Sequence, residues 1–268
     1  MANPNHSKFV EMRDTYGPAA AGILTMVGIS TVFLHRGETH RALKFKRAPR
    51  LVARTATWVG SGMRPREWVG VHLKHHDDTD GPEDPHSPVQ NGRFGVAKVL
   101  VGNALMYRKA KRKLAPEDIP ARLAPDKLDK VLFDRAALGL TALYGIYLGV
   151  QHGNVKKAAK TWSAHVGGVL LAGGVINALA HAGEGSMAKA LINGPQPDEN
   201  GNYARNLNIG TTEATLGEGS HLDHHKNPGN IWMNENHWLD PGGMLAVTAI
   251  RLGAAELGTE PPQERQVV

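Results

Sequence analysis

The sequence predicts an all-α protein in which short apolar helices, spanning or dipping into a membrane, are topped by a helical, histidine-rich cap around a dinuclear metal site. Three observations carry that expectation. Uncharged apolar runs occupy residues 18–34, 136–150 and 166–180; two histidine triplets, His72/His75/His76 and His221/His224/His225, repeat one spacing; and the chain has no cysteine. Positions i, i+3 and i+4 share a helix face, so each triplet can point three imidazoles into one small volume. Without cysteine there is no disulfide framework, thiolate-held zinc or iron–sulfur cluster, and any metal must sit on imidazole, carboxylate, amide or water.

In chain order, residues 1–17 read as a polar N-terminal segment. Lys8, Glu11, Arg13 and Asp14 fall there with no apolar stretch ahead of them, which is not the pattern of a cleavable signal. Residues 18–258 read as one domain. The run 18–34 is at the lower limit for a membrane span and ends directly at His35. From about 35 to 130 the chain is polar, with basic clusters at Arg36–Arg54 and Arg108–Lys113 and a turn-rich acidic stretch at Asp77–Pro88. This predicts an aqueous cap of helices and loops. The runs 136–150 and 166–180, joined through Lys156, Lys157 and Lys160, predict a helical hairpin. Because mean hydropathy is negative and the runs are short, buried helices of a soluble all-α protein are the alternative to membrane spans. Residues 183–216 read as loop with short helical pieces, Gly243–Leu257 as an amphipathic helix, and 259–268 as a disordered tail.

The net charge of +6 suits an anionic membrane surface or an acidic redox partner. No recognition motif accompanies it, so nucleic acid is not expected as a partner. His35 and His40 would lie about 140° apart on an ideal helix, reaching two ions, or one if the helix breaks at Gly37. Asn177 and His181 stand i, i+4 at the end of the third run, where buried polar groups need partners. His86 is read as ordering its loop; His6, His152, His165 and His237 are read as surface or packing residues. Nine candidates remain: His35, His40, His72, His75, His76, His181, His221, His224 and His225. Nine is too many for one ion and implies two, with a nitrogen-rich set that suits redox iron.

At these residues the chain resembles the membrane fatty acid desaturases of the Δ9 acyl type, whose boxes run His-x4-His, His-x-x-His-His and His-x-x-His-His. Glu67-Trp68-Val69 leading to His72, and Asp84-Pro85-His86-Ser87-Pro88 after His76, are similar to that family's second box and its trailer. Arg205-Asn206, Gly217-Glu218-Gly219 and Trp238-Leu239-Asp240-Pro241 resemble the surroundings of its third. The resemblance covers roughly residues 20–258. It implies that the nine histidines bind two iron ions, that His181 is the ninth ligand, and that Asn177 is a catalytic-site residue holding a metal-bound water. It also implies an active site facing the cytoplasm from a membrane, a soluble or peripheral form being the alternative.

The implied reaction is O2-dependent insertion of a double bond into an acyl chain carried by coenzyme A, a carrier protein or a lipid. Glu38, Glu67, Asp77 and Asp223 are candidates to support the ligands. No haem or flavin motif is present, so electrons are expected from a ferredoxin, a rubredoxin or a b-type cytochrome. Zinc can occupy such imidazole sites by mis-metallation without excluding a redox role. A hydroxylase on the same core, and a non-catalytic metal-binding or accessory subunit, are the alternative functions.

Overall fold

A computed structural model describes residues 4–135 and 137–258, with side chains for all of these except 4–12, 15 and 137. The tail expected at 259–268 lies outside the described residues. Among the described residues the chain is all-α apart from one short ribbon. Helix α1 (Pro4–Gly28) runs without interruption into a π-helical segment, Ile29–Thr39. There follow strand β1 (Leu43–Phe45), α2 (Arg47–Ser61), α3 (Pro65–Asp77) and α4 (Gly95–Lys111). Two further π-helical segments, Asp129–Phe133 and Ala137–Leu143, lead into α5 (Tyr144–His152) and the long α6 (Val155–Leu179). The short helices α7 (Met187–Asn193), α8 (Ile209–Ala214) and α9 (His221–Lys226) precede α10 (Pro241–Arg251) and strand β2 (Ala255–Leu257).

Local sequence sets these boundaries. Pro65 begins α3 with Glu67 in its first turn, where a missing N–H costs nothing and the helix dipole favours an anion. Asn154 caps α6 by accepting from the Lys157 N–H, and Asp240 caps α10 ahead of Pro241. The turn between α5 and α6 is made by Gly153, at φ +56°, which a side chain would strain. The amphipathic helix expected over Gly243–Leu257 stops at Arg251. Its last residues instead pair antiparallel with β1, Leu43 opposite Leu257 and Phe45 opposite Ala255, around a small core of Leu43, Ala246 and Ala255.

Among the described residues, two segments are long and apolar enough to cross a membrane, Tyr16–Thr39 and Val155–Leu179. The run expected at 136–150 forms the short arm of the hairpin, ending at His152. At 1.5 Å per residue, residues 137–152 reach about 24 Å, short of a ~30 Å hydrocarbon layer. The two long helices lie side by side in the same direction, contacts near Asp14 and Lys157 giving way to contacts of Met26 and Val27 with Val169 and Ala172. Their approach depends on glycine. A Cβ at Gly22 would fall on the carbonyl of His165, and one at Gly168 on that of Ala19. Both helices therefore end on the same side of the molecule, where the cap sits.

The cap is tied together by arginine clamps. The buried Arg54 of α2 donates to Asp126 (2.7 Å) and Asp129 (2.7 Å), and its guanidinium lies 4.7 Å from the Phe133 ring. The hydrogen bond from Arg54 holds the Asp126 carboxyl down to about 2. Its folded pKa lies below the unfolded one, so its contribution is complete above about pH 4 and is lost as pH falls toward 2. The Asp126→Asn variant is expected to show a shallower loss of stability between pH 4 and 2 in acid melts. The change is small because Asp126 is half exposed.

Candidate metal centre

The first histidine pair is brought together by the π-helical segment. The His40 N–H bonds to the His35 carbonyl at 3.0 Å, an i→i+5 step, and the Thr39 hydroxyl bonds to the Leu34 carbonyl at 2.8 Å, again five back. Widening the turn by one residue puts positions i and i+5 on one side. His35 and His40 thus reach the same cluster, and the helix does not break at Gly37.

All nine candidate histidines converge in two adjacent sets. His35, His40, His72, His76 and His224 form one, and His75, His181, His221 and His225 the other; within each, one nitrogen per residue lies within 4.8 Å of every other. Each triplet is divided between them. The first gives i and i+4 (His72, His76) to the five-membered set and i+3 (His75) to the four-membered one; the second gives His221 and His225 to the four-membered set and His224 to the five-membered one. The helix face expected to fill one volume straddles two. Inside the sets the Nε2 atoms face one another: His224 lies 3.0 Å from His35 and 3.1 Å from His76, and His181 lies 2.8 Å from His221.

Three carboxylates stand behind the rings. Glu218 accepts from His35 Nδ1 (2.8 Å), Asp84 from His75 Nδ1 (2.7 Å) and Asp80 from His181 Nδ1 (2.8 Å). Burial opposes ionisation of all three, but the partner histidines hold each below the usual carboxylate range, so all three are anions. An anion only accepts, so each of these rings carries a proton on Nδ1 and turns Nε2 inward, the nitrogen that would bind a metal once free of any proton of its own. Burial, reinforced by neighbouring imidazoles, pushes His72, His76, His221, His224 and His225 well below the ordinary histidine range, leaving them neutral. Ring nitrogens gathered at 2.8–3.3 Å stay together only with a proton or a metal cation between them. The donor set fits two metal ions of the kind neutral imidazole binds.

The supporting carboxylates differ from those expected. Glu38 is clamped by Arg50, Glu67 by Arg64 and Lys111, and Asp223 accepts from Asn206. Glu218 stands one turn before His221, a signal that was available in the sequence. Asp80 meets His181 across 101 positions, which no local spacing reveals.

A cavity of about 280 Å³ opens beside the histidines. Met26, Val27, Val169 and Ile176 give it an apolar wall, and His35, His72, His86 and His221 line it where it meets the two sets. Asn177 also lines it and donates to Asn103 at 3.0 Å. His86 is buried and stacked on His75, so it packs against the centre as well as shaping its loop. His152 pairs with Thr161, His165 with the Gly60 carbonyl, and His237 stacks on Trp232, all apart from the sets.

Comparison with known families converges on the same residues. The fatty acid desaturase family model matches residues 16–234, a stretch holding all nine histidines. The chain belongs to the fatty acid desaturase family. Among its relatives, the hex-5-enoyl-[acyl-carrier protein] acetylenase of Moorena producens (strain JHB) is 37% identical over 81 residues, 29% of this chain and 25% of that protein. Delta-9 acyl-lipid desaturase 2 of Arabidopsis thaliana is 32% identical over 142 residues, 52% of this chain and 43% of that one. The Delta-9 desaturase-like 2 protein of the same plant is 26% identical over 205 residues, 76% and 62% respectively. The match spans less than two thirds of each of these relatives.

Proposed function

We propose that this protein is an O2-dependent acyl desaturase working with two iron ions held by the nine histidines, five on one ion and four on the other. The observation that carries the reading is the pair of adjacent all-nitrogen sets, Nε2 atoms inward, opening on an apolar-walled cavity. Bound iron would supply the reductive activation of O2 needed to remove hydrogen from an unactivated methylene. The chain's own residues do the rest. Asp80, Asp84 and Glu218 keep the rings in one tautomer and orientation, and the apolar wall accepts the alkyl part of the substrate while excluding water. The buried Tyr107 hydroxyl, which has no partner among the described residues, borders the same cavity and offers a donor to an acyl carbonyl.

Electrons come from a separate donor protein. Exposed Arg108, Lys109, Arg112 and Lys113 at the end of α4 give an acidic partner a surface to approach. Tyr16–Thr39 and Val155–Leu179 anchor the protein in a membrane, with the histidines on the cytoplasmic side. The carrier of the acyl group is coenzyme A, a carrier protein or a lipid; the names of the relatives include both acyl-carrier-protein and acyl-lipid substrates.

The test is gas chromatography with mass spectrometry of fatty acids from a host expressing this chain with a reductase system, beside His224→Ala. A new double bond, absent from the variant, is the expected outcome and reports its own position. A new hydroxyl group would reassign the reaction to a hydroxylase. Unchanged lipids from a protein carrying both metals, across acyl carriers and donors, would make it a non-catalytic metal-binding subunit.

A further inference from the structure

Two asparagines in the cavity wall are wired in a fixed sense. Asn103 of α4 donates through Nδ2 to the Gly173 carbonyl at 2.8 Å and accepts through Oδ1 from Asn177 Nδ2 at 3.0 Å. A backbone carbonyl can only accept, so the bond to Gly173 decides which end of the Asn103 amide is nitrogen. Its oxygen must then face Asn177, and Asn177 must donate. That turns the Asn177 carboxamide oxygen away from Asn103 with no partner among the described residues, the second Nδ2 hydrogen being the other free group, on a residue lining the same cavity as His35, His72 and His221. Glycine makes the arrangement possible, because a Cβ at Gly174 would run into the Leu100 carbonyl and one at Gly173 would come within 3.3 Å of Asn103 Nδ2.

We infer that Asn103 is a positioning residue that fixes the polarity of Asn177, so that Asn177 meets the metal centre as a hydrogen-bond acceptor. An acceptor suits a water or hydroxyl held at the centre and rejects the carbonyl of an acyl group, which can only accept. The inference rests on the metal-centre reading above. It assigns to α4, which carries none of the nine histidines, control over the centre's surroundings.

The test uses the full chain in detergent loaded with Co²⁺, reading the visible d–d bands, Co²⁺ per chain and the melting transition. The variants are Asn103→Leu, Asn103→Asp, Asn177→Ala and the double Asn103→Leu/Asn177→Ala. Asn103→Leu is expected to bind as much Co²⁺ as the parent, to shift the bands as Asn177→Ala does, and to lower desaturation about tenfold. The double variant should match Asn177→Ala alone, because one residue acts through the other. Asn103→Asp should keep the parental bands, since a carboxyl kept neutral in this wall offers O–H to Gly173 and C=O to Asn177. Parental bands in Asn103→Leu beside shifted bands in Asn177→Ala would overturn the inference, as would additive shifts or an Asn103→Asp that behaves like leucine. Failure of the parent chain to take up Co²⁺ would overturn the metal-centre reading itself, and is separately visible in the Co²⁺ count.

Discussion

Replacing Arg36 with methionine is expected to destabilise the fold by about 3–5 kcal/mol, the scale of breaking a buried ion pair by removing one partner. Arg36 is 1% exposed, and every side of its guanidinium is used. It donates to the carbonyls of Ile231 (3.0 Å) and Thr31 (3.1 Å) and to Asp240 Oδ1 (2.6 Å), and lies 3.5 Å from Glu218 Oε1. Asp240 in turn accepts from the N–H groups of Met233 and Gly243, which fixes the start of α10. Methionine keeps the stem but leaves two buried carboxylates without their cation. One of them, Glu218, orients His35, so metal affinity should fall with stability. Chemical denaturation in detergent measures the first and metal titration the second. Removing both charges, in Arg36→Met/Asp240→Asn, which keeps a side-chain oxygen for the Gly243 N–H, should recover part of the loss; a double variant no better than the single one would contradict the electrostatic account.

The second large effect concerns which histidine is removed. His221→Ala cuts the smaller set from four imidazoles to three, while His40→Ala leaves four of five. His221→Ala is expected to yield protein with one metal per chain and no product, and His40→Ala to retain two with weakened affinity. Elemental analysis of purified variants, alongside product analysis, measures both. Equal loss in the two variants would mean that the sets do not bind independently.

The residues that could be read directly were those whose partners are set by short-range helical spacing. Both triplets sit on helices, as the i, i+3, i+4 pattern requires, and His181 follows an apolar helix at the predicted place. His35 and His40 could not be joined this way, because whether a segment adopts 3.6 residues per turn or a wider π turn is decided by packing. The supporting carboxylates escaped for a related reason. Glu67 and Glu38 are near histidines in sequence, yet arginines and a lysine in the folded cap claim them. Asp80 acquires its role only when α6 delivers His181. The last helix is shorter than its amphipathic pattern predicts because the residues after it pair with β1, more than 200 residues earlier.

The directions in which the helices run have an electrical consequence. The π-helical segment ends at Thr39, next to His40; α3 ends at Asp77, next to His76; α6 ends two residues before His181. All three present carbonyl ends to the histidine sets, each equivalent to about half a negative elementary charge. Imidazole binds a metal in its neutral form, so nine such ligands would offset none of the fourfold positive charge that two divalent ions would bring. Asp80, Asp84 and Glu218 together with these helix ends nearly balance it, while Arg36 is matched by Asp240. A strongly charged pair of ions could thus be buried on ligands that carry no charge of their own.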